Sequence, residues 1–301
     1  KKIHQKPKMI FISIEELYST IATNSWKVSK HKPKGIIGVP RSGMLPATIL
    51  SQELHLGLCS INEFFDNNGD DKVFNRHGTR PIDHPKDGPY IVVEDSNYNG
   101  QNLGITMNSL KQHFPNKKFI SCAAFLEGPT QFYKADITLR DIREEAQASV
   151  GRVALYQWSF LDCWWNWKFL WDLDGVMCID PPADSNTEAY EAYLDNPIPL
   201  HIPKTPSNYP ISICTYRLKK YAPQTNKFLK DNGINCNTLW MYNADTKEER
   251  NLKPAPVYKA EMYKSHPEYM LYIESNDYEA QAIWKLSEKP VYCFSTGKLY
   301  K

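Results

Sequence analysis

Two apolar runs in this 301-residue chain break off into closely spaced carboxylates. YIVVED (Tyr90–Asp95) ends in adjacent acids, Glu94 and Asp95; FLWDLDG (Phe169–Gly175) ends in acids two residues apart, Asp172 and Asp174. A short apolar run without alternation suits a strand buried on both faces of its sheet, and such strands belong to parallel α/β layers. Both acid pairs therefore fall at the carboxyl end of a buried strand, where open α/β sheets place their ligands.

The remaining pattern alternates strand and helix. GIIGV (Gly35–Val39) reads as a buried strand, followed by PATILSQELHLG as a helix with Pro46 in its first turn and Gly57 at its end. GQNLGITMNSLKQHF reads as a second helix and KFISCAAFL as a third strand. In the second half ISICTYR (Ile211–Arg217), YMLYIES and PVYCF are strands, PQTNKFLKDNG a helix stopped by Gly233, and EAQAIWKLSE another helix. This order predicts an α/β chain of two domains, 1–150 and 151–301, joined somewhere in Val150–Lys168. Segments 62–89 and 180–210, rich in Asn, Asp, Gly and Pro, read as long loops over a site.

Composition narrows the function classes. Apolar and charged fractions of 42% and 23% are those of a soluble globular protein. A net charge of +2 is too balanced to predict a nucleic-acid partner, and the basic KKIHQKPK at the start reads as a solvated tail. Seven scattered cysteines without a C-x-x-C pair predict reduced, buried thiols of a cytosolic protein, neither a disulfide frame nor a zinc site. No run approaches the ~18 apolar residues of a membrane span and no signal peptide is evident; peripheral association with a membrane stays open. The tryptophan-rich FLDCWWNWKFLW (Phe160–Trp171) is read as core packing in preference to an exposed aromatic patch.

Around the first acid pair, IVVEDSNYNGQNL (Ile91–Leu103) runs from strand through a small polar loop into a helix. Backbone amides of Ser96 to Gly100 and the helix start can face a phosphate, and carboxylates about one sugar length away can accept hydrogen bonds from a diol. In GVPRSGML (Gly38–Leu45), Arg41 and the amides of Ser42 and Gly43 can hold a second phosphate group; an ordinary strand-to-helix turn is the other reading.

These stretches together resemble the type I phosphoribosyltransferases. The resemblance implies that Glu94 and Asp95 hold the ribose hydroxyls of 5-phosphoribosyl pyrophosphate (PRPP). It implies a 5-phosphate cradle of Ser96, Asn97, Tyr98, Asn99, Gly100 and Gln101, pyrophosphate contacts from Arg41, Ser42 and Gly43, and Mg2+ bridging pyrophosphate and ribose. Asn99 stands where threonine is usual and Glu94 where aspartate is more frequent. DDKVFNRHGTRPID, with Arg76, His77 and Arg80, reads as a lid over the pyrophosphate or as a solvated surface loop.

In the second acid pair the D-x-D spacing lets Asp172 attack phosphorus and Asp174 exchange a proton with the leaving oxygen and with water. Two carboxylates so close repel, which raises one pKa unless a cation intervenes. From Phe169 to Phe294 the chain resembles the haloacid dehalogenase-like phosphatases. The resemblance implies phosphate binding by Thr215 and Lys259, with Lys253 the alternative lysine, and substrate reading by Arg217. It implies Mg2+ on Asp172, Asp174, Glu274 and Asp277, with Glu279 a further candidate; Glu274-Ser275 stands where an acidic pair is frequent. Only about 40 residues separate Asp174 from Thr215, so the implied Rossmann-like phosphatase domain has little or no cap.

The order of the two halves resembles the fused phosphoribosyltransferase–phosphatases of bacterial polysaccharide assembly. That resemblance implies a bacterial, cytoplasmic enzyme with Mg2+ in both domains. It would transfer 5-phosphoribose from PRPP to a sugar hydroxyl of a capsule or O-antigen glycan, free or lipid-linked, and then remove the 5-phosphate to leave β-ribofuranose. A nucleotide-salvage phosphoribosyltransferase fused to a nucleotide phosphatase, and a PRPP-binding regulatory module, stay open as alternatives.

Overall fold

The computed structural model describes residues 9–74, 87–147, 153–163, 165–182, 187–205 and 208–301. The chain divides into two compact units between Trp158 and Ser159. This division falls after residue 150 and within Val150–Lys168, because a strand at 153–156 pairs back with the start of the chain.

In the first unit the strands are β1 (Met9–Ile12), β2 (Gly35–Gly38), β3 (Leu58–Ser60), β4 (Tyr90–Asn97), β5 (Phe119–Leu126), β6 (Ile137–Asp141) and β7 (Val153–Tyr156). β3-β2-β4-β5-β6 form a parallel sheet with β4 at its centre, and β1 pairs with β7 in parallel. β4 reads as a continuous apolar run because both faces are covered. Ile91 and Val93 pack with Ile36, Leu50 and Cys122 on one side; Tyr90 and Val92 pack with Phe64, Leu103 and Met107 on the other. The helix expected from Pro46 to Gly57 spans Met44–Leu54, closed by His55 in the left-handed conformation. Segment 62–89 is less bare than expected. Ser60 and Glu63 form a reciprocal capping box that starts the helix Ile61–Asp66, whose Phe64 is fully buried.

The second unit contains β8 (Phe169–Trp171), β9 (Ile211–Leu218), β10 (Cys236–Tyr242), β11 (Leu271–Glu274), β12 (Val291–Cys293) and β13 (Lys298–Tyr300). The sheet order is β10-β9-β8-β11-β12-β13; all pairs are parallel except β12 with β13. β8 thus lies between β9 and β11. Its Leu170 packs with Cys214, Tyr272, Val291 and the helix residues Ala260, Tyr263 and Ile283. The helix Glu188–Asp195 interrupts the expected loop 180–210: Thr187 caps it, and Tyr190, Tyr193 and Leu194 are buried. The tryptophan-rich segment divides. Trp171 is fully buried and stacks near-parallel on Phe160, with ring centroids 6.3 Å apart, whereas Trp165 and Trp167 are only half-buried. Among the described residues no helix is long and apolar enough to cross a membrane.

Candidate functional site

In the first unit the acid pair lies within β4, two residues before the strand ends. Asp95 is almost completely buried and already well supplied with donors. Its Oδ2 accepts the indole Nε1–H of Trp158 at 2.9 Å, its Oδ1 accepts the Ser96 amide at 2.8 Å, and the Ser42 hydroxyl also bonds it. Burial raises its pKa against the pull of those three bonds. Glu94 beside it is pushed up to about 8, by burial first and then by repulsion from Asp95. A third acid, Glu127, follows β5; burial raises its pKa too, and it accepts the Tyr156 hydroxyl at 3.0 Å. Its signal was available, since KFISCAAFLE is again an apolar strand ending in a carboxylate.

The loop after β4 is held from below by 127–133. Thr130 N–H donates to the Tyr98 carbonyl and Phe132 N–H to the Asn99 carbonyl, both at 2.9 Å, and Asn97 Nδ2 donates to the Tyr133 carbonyl at 3.2 Å. Asn99 Oδ1 accepts the Gln101 amide at 3.0 Å, an Asx turn that closes the loop onto the first residue of the following helix. Gly100 has φ +81°, and a Cβ there would sit 1.8 Å from the Tyr133 carbonyl oxygen. Tyr98 and Gln101 are exposed, Ser96 and Asn99 half-buried. In the earlier turn Arg41 is exposed, Ser42 half-buried and Gly43 buried; a Cβ on Gly43 would come within 2.6 Å of the carbonyl oxygens of Val39 and Val93. The turn thus packs directly on the strand that carries the acid pair. Arg76, His77 and Arg80 lie outside the described residues.

In the second unit Asp172, Asp174, Thr215, Lys259 and Glu274 line one cavity of about 540 Å3, together with Asp180, Tyr216, Arg250 and Glu279. Asp172 follows β8, Thr215 is in β9, Glu274 ends β11, and Lys259 projects from the helix Ala255–Ser265. Lys259 stands in the second turn of that helix. Its Nζ lies 2.8 Å from Asp172 Oδ2, 2.8 Å from Glu274 Oε2 and 2.7 Å from Glu279 Oε2. Burial opposes the ammonium charge, but the three carboxylates outweigh it and Lys259 is held well above the ordinary lysine range. Asp172 is pushed up by burial; Lys259 pulls it down while Glu274 and Glu279 push it further up. Asp180, which the sequence reading gave no role, is raised by burial and by Asp174 and Glu274.

Three placements differ from expectation. Arg217 is buried and bonds both oxygens of Asp174, Nε to Oδ2 at 2.9 Å and to Oδ1 at 3.1 Å, while Tyr193 donates to Oδ1 at 3.1 Å. The partner of Arg217 is therefore a cavity acid, and its guanidinium does not line the cavity. Asp277 does not line it either: at the start of the helix Asp277–Ser287 it accepts from Tyr300, Thr296 and Gln281. Helical geometry explains this, since Glu279 at the third position of that turn is the acid that reaches Lys259. Lys253 is half-exposed and paired with Glu261 at 2.6 Å, away from the cavity.

The cavity walls carry five carboxylates against two basic side chains. Hard oxygen donors in excess of cationic partners are the donor chemistry of Mg2+. Among the described residues no three acids, histidines or cysteines form a ready metal group, and Lys259 Nζ occupies the point where three carboxylates converge.

No protein-family model matches the chain. Among solved structures, a purine phosphoribosyltransferase from Pyrococcus horikoshii aligns at 19% identity over 50% of this chain and 93% of its own, with a TM-score of 0.35. A Helicobacter pylori xanthine-guanine-hypoxanthine phosphoribosyltransferase aligns at 20% over 50% and 93%, TM-score 0.36. A hypothetical Neisseria gonorrhoeae protein with bound ppGpp aligns at 12% over 52% and 91%, TM-score 0.35. Likeness at these values is distant and partial, and it carries no function across.

Proposed function

We propose that the chain joins two phosphate chemistries: transfer of 5-phosphoribose from PRPP to a sugar hydroxyl of a glycan, then hydrolysis of the 5-phosphate. The observation that carries this reading is the placement of each acid pair toward the carboxyl end of a central strand of its own sheet, β4 and β8, flanked on both sides by parallel strands.

In the first step Glu94 and Asp95 accept hydrogen bonds from the ribose diol while the amides of 96–101 take the 5-phosphate. The turn at Arg41, Ser42 and Gly43 takes the pyrophosphate. The acceptor hydroxyl oxygen bonds to the anomeric carbon as the bond from that carbon to pyrophosphate breaks, its proton passing to the departing pyrophosphate or to water, so catalysis is positioning and charge stabilisation. In the second step an Asp172 oxygen attacks phosphorus, with Thr215 and Lys259 on the phosphoryl oxygens. Held by Arg217, Asp174 is suited to take the proton of the water that cleaves the aspartyl-phosphate. Giving a proton to the leaving oxygen requires that contact to open. Mg2+ would be held by Asp172, Asp174 and Glu274, with Asp180 in the place expected for Asp277, and would supply neutralisation of phosphoryl charge.

The test is product mass. The full chain is incubated with PRPP, Mg2+ and either glycan or nucleobase acceptors. Asp95→Ala should block pyrophosphate release, and Asp172→Asn should accumulate a glycan heavier by one phosphoryl group. Pyrophosphate release only with nucleobases sinks the glycan reading in favour of salvage. Dephosphorylated product from Asp172→Asn at the normal rate sinks the two-step assignment.

A further inference from the structure

At the amino ends of the second sheet's strands, opposite the carboxyl ends that carry Asp172, lies a second cleft of about 460 Å3. Its residues precede or begin strands: Trp167 before β8, Tyr209 and Ser212 at β9, Asn237 at β10, Glu268 and Tyr269 before β11. The volume falls in the roughly 300–1,000 Å3 range of ligand clefts. This is where half of the tryptophan-rich segment goes: Trp167 is only half-buried and has Tyr209, 44% exposed, beside it.

We propose that this cleft binds a neutral sugar ring of an oligosaccharide. Three observations carry the proposal. The floor is a directed hydrogen-bond chain: Tyr269 OH donates to Ser212 Oγ at 2.8 Å, and Ser212 Oγ donates to Asn237 Oδ1 at 2.9 Å. That chain fixes the Asn237 amide and leaves its two Nδ2 hydrogens for a ligand. Second, Trp167 lines the cleft, and its indole Nε1–H has no hydrogen-bond partner among the described residues. Third, the cleft lining supplies an acceptor, the Glu268 carboxylate, and a part-exposed aromatic ring, Tyr209. An aromatic face for C–H groups with an amide donor and a carboxylate acceptor around it matches a sugar, which has apolar ring faces and a girdle of hydroxyls.

The geometry disfavours a nucleobase. A base sandwiched between two rings needs them roughly 7–8 Å apart, two van der Waals contacts. Trp167 and Tyr209 have centroids 6.0 Å apart at 30°, so they already touch and leave no slot. An anion is disfavoured because the charged residue in the lining is an acid.

The experiment titrates the full chain with lactose, maltose and chitobiose, and separately with adenosine and inosine, by saturation-transfer NMR and tryptophan fluorescence. The expected result is saturable binding of at least one disaccharide, weakened about tenfold by Asn237→Ala and by Tyr209→Ala, the loss of roughly one good contact. Turnover of p-nitrophenyl phosphate should be unchanged in both variants, which separates this cleft from the Asp172 cavity. Absence of saturable binding by all three disaccharides overturns the proposal, as does binding that both variants retain in full. Nucleosides that bind and lose affinity in the same variants overturn it in favour of a base site. A failure of the phosphatase reading would appear separately, as p-nitrophenyl phosphate turnover surviving Asp172→Asn.

Discussion

Replacing Lys259 by methionine keeps the length of the side chain and removes its charge. Around that charge stand Asp172 and Glu274, whose side chains are 5% and 1% exposed, and Glu279 at 25%. Removing one partner of a buried ion pair costs about 3–5 kcal/mol, because the remaining charge is left uncompensated. The loss should stay near that range and not triple, since a crowded carboxylate can take up a proton instead. The sign with pH follows from Asp172. Its folded pKa is raised above its unfolded one, so its contribution to stability is full at low pH and is lost as pH rises through the folded value. Without Lys259 that pKa rises further, so the penalty is largest near pH 8 and shrinks toward pH 5. Hydrogen exchange of peptides covering β8 and β11 isolates the second unit and reads its opening free energy. A loss below about 1 kcal/mol at pH 8, or an equal loss at both pH values, would refute the view that Lys259 neutralises this cluster.

Gly43→Ala should cost about 1–3 kcal/mol and weaken PRPP binding, because the new methyl group meets two carbonyl oxygens at 2.6 Å; calorimetric melting and ligand titration check both. Glu94, with a folded pKa of about 8, should withdraw stability as pH rises from the ordinary carboxylate range through 8 while its acceptance of diol hydrogen bonds strengthens. PRPP affinity measured from pH 6.5 to 9 should rise in wild type and stay flat in Glu94→Gln. Asp277→Asn should leave the Mg2+ dependence of phosphatase turnover unchanged, whereas Asp180→Asn should shift it to higher Mg2+; equal effects would return Asp277 to the metal site.

The strands that line the sites were legible because each is buried on both faces and therefore reads as an unbroken apolar run: IVV in β4, FLW in β8, ISIC in β9 and LYI in β11. β1 and β7 were not, although MIFI and VALY are apolar, because each is only four residues long and finds its partner in a pairing of Met9 with Val153 across most of the first unit. β10 was hidden by its half-exposed CNTLWMY, and β13 by being a short antiparallel edge. Side-chain direction was the other gap. The resemblance placed Asp277 at the metal, whereas Asp277 is taken up by Tyr300 and one turn of helix aims Glu279 at Lys259; it placed Arg217 on a ligand, whereas Asp174 takes it.

The return of β7 to β1 has a practical consequence for cutting the chain in two. A fragment ending at residue 150 discards the indole that donates to Asp95 and the phenol that donates to Glu127, both at buried carboxylates. It also strips β1 of its partner and takes away Gln157, whose side chain accepts the Ile14 amide at 2.8 Å. Such a fragment would hold two acids in apolar surroundings with fewer donors, and would be prone to open and aggregate. Extending it by eight residues, to Trp158, retains every one of those contacts, so the choice of end point decides whether an excised first half is a usable protein.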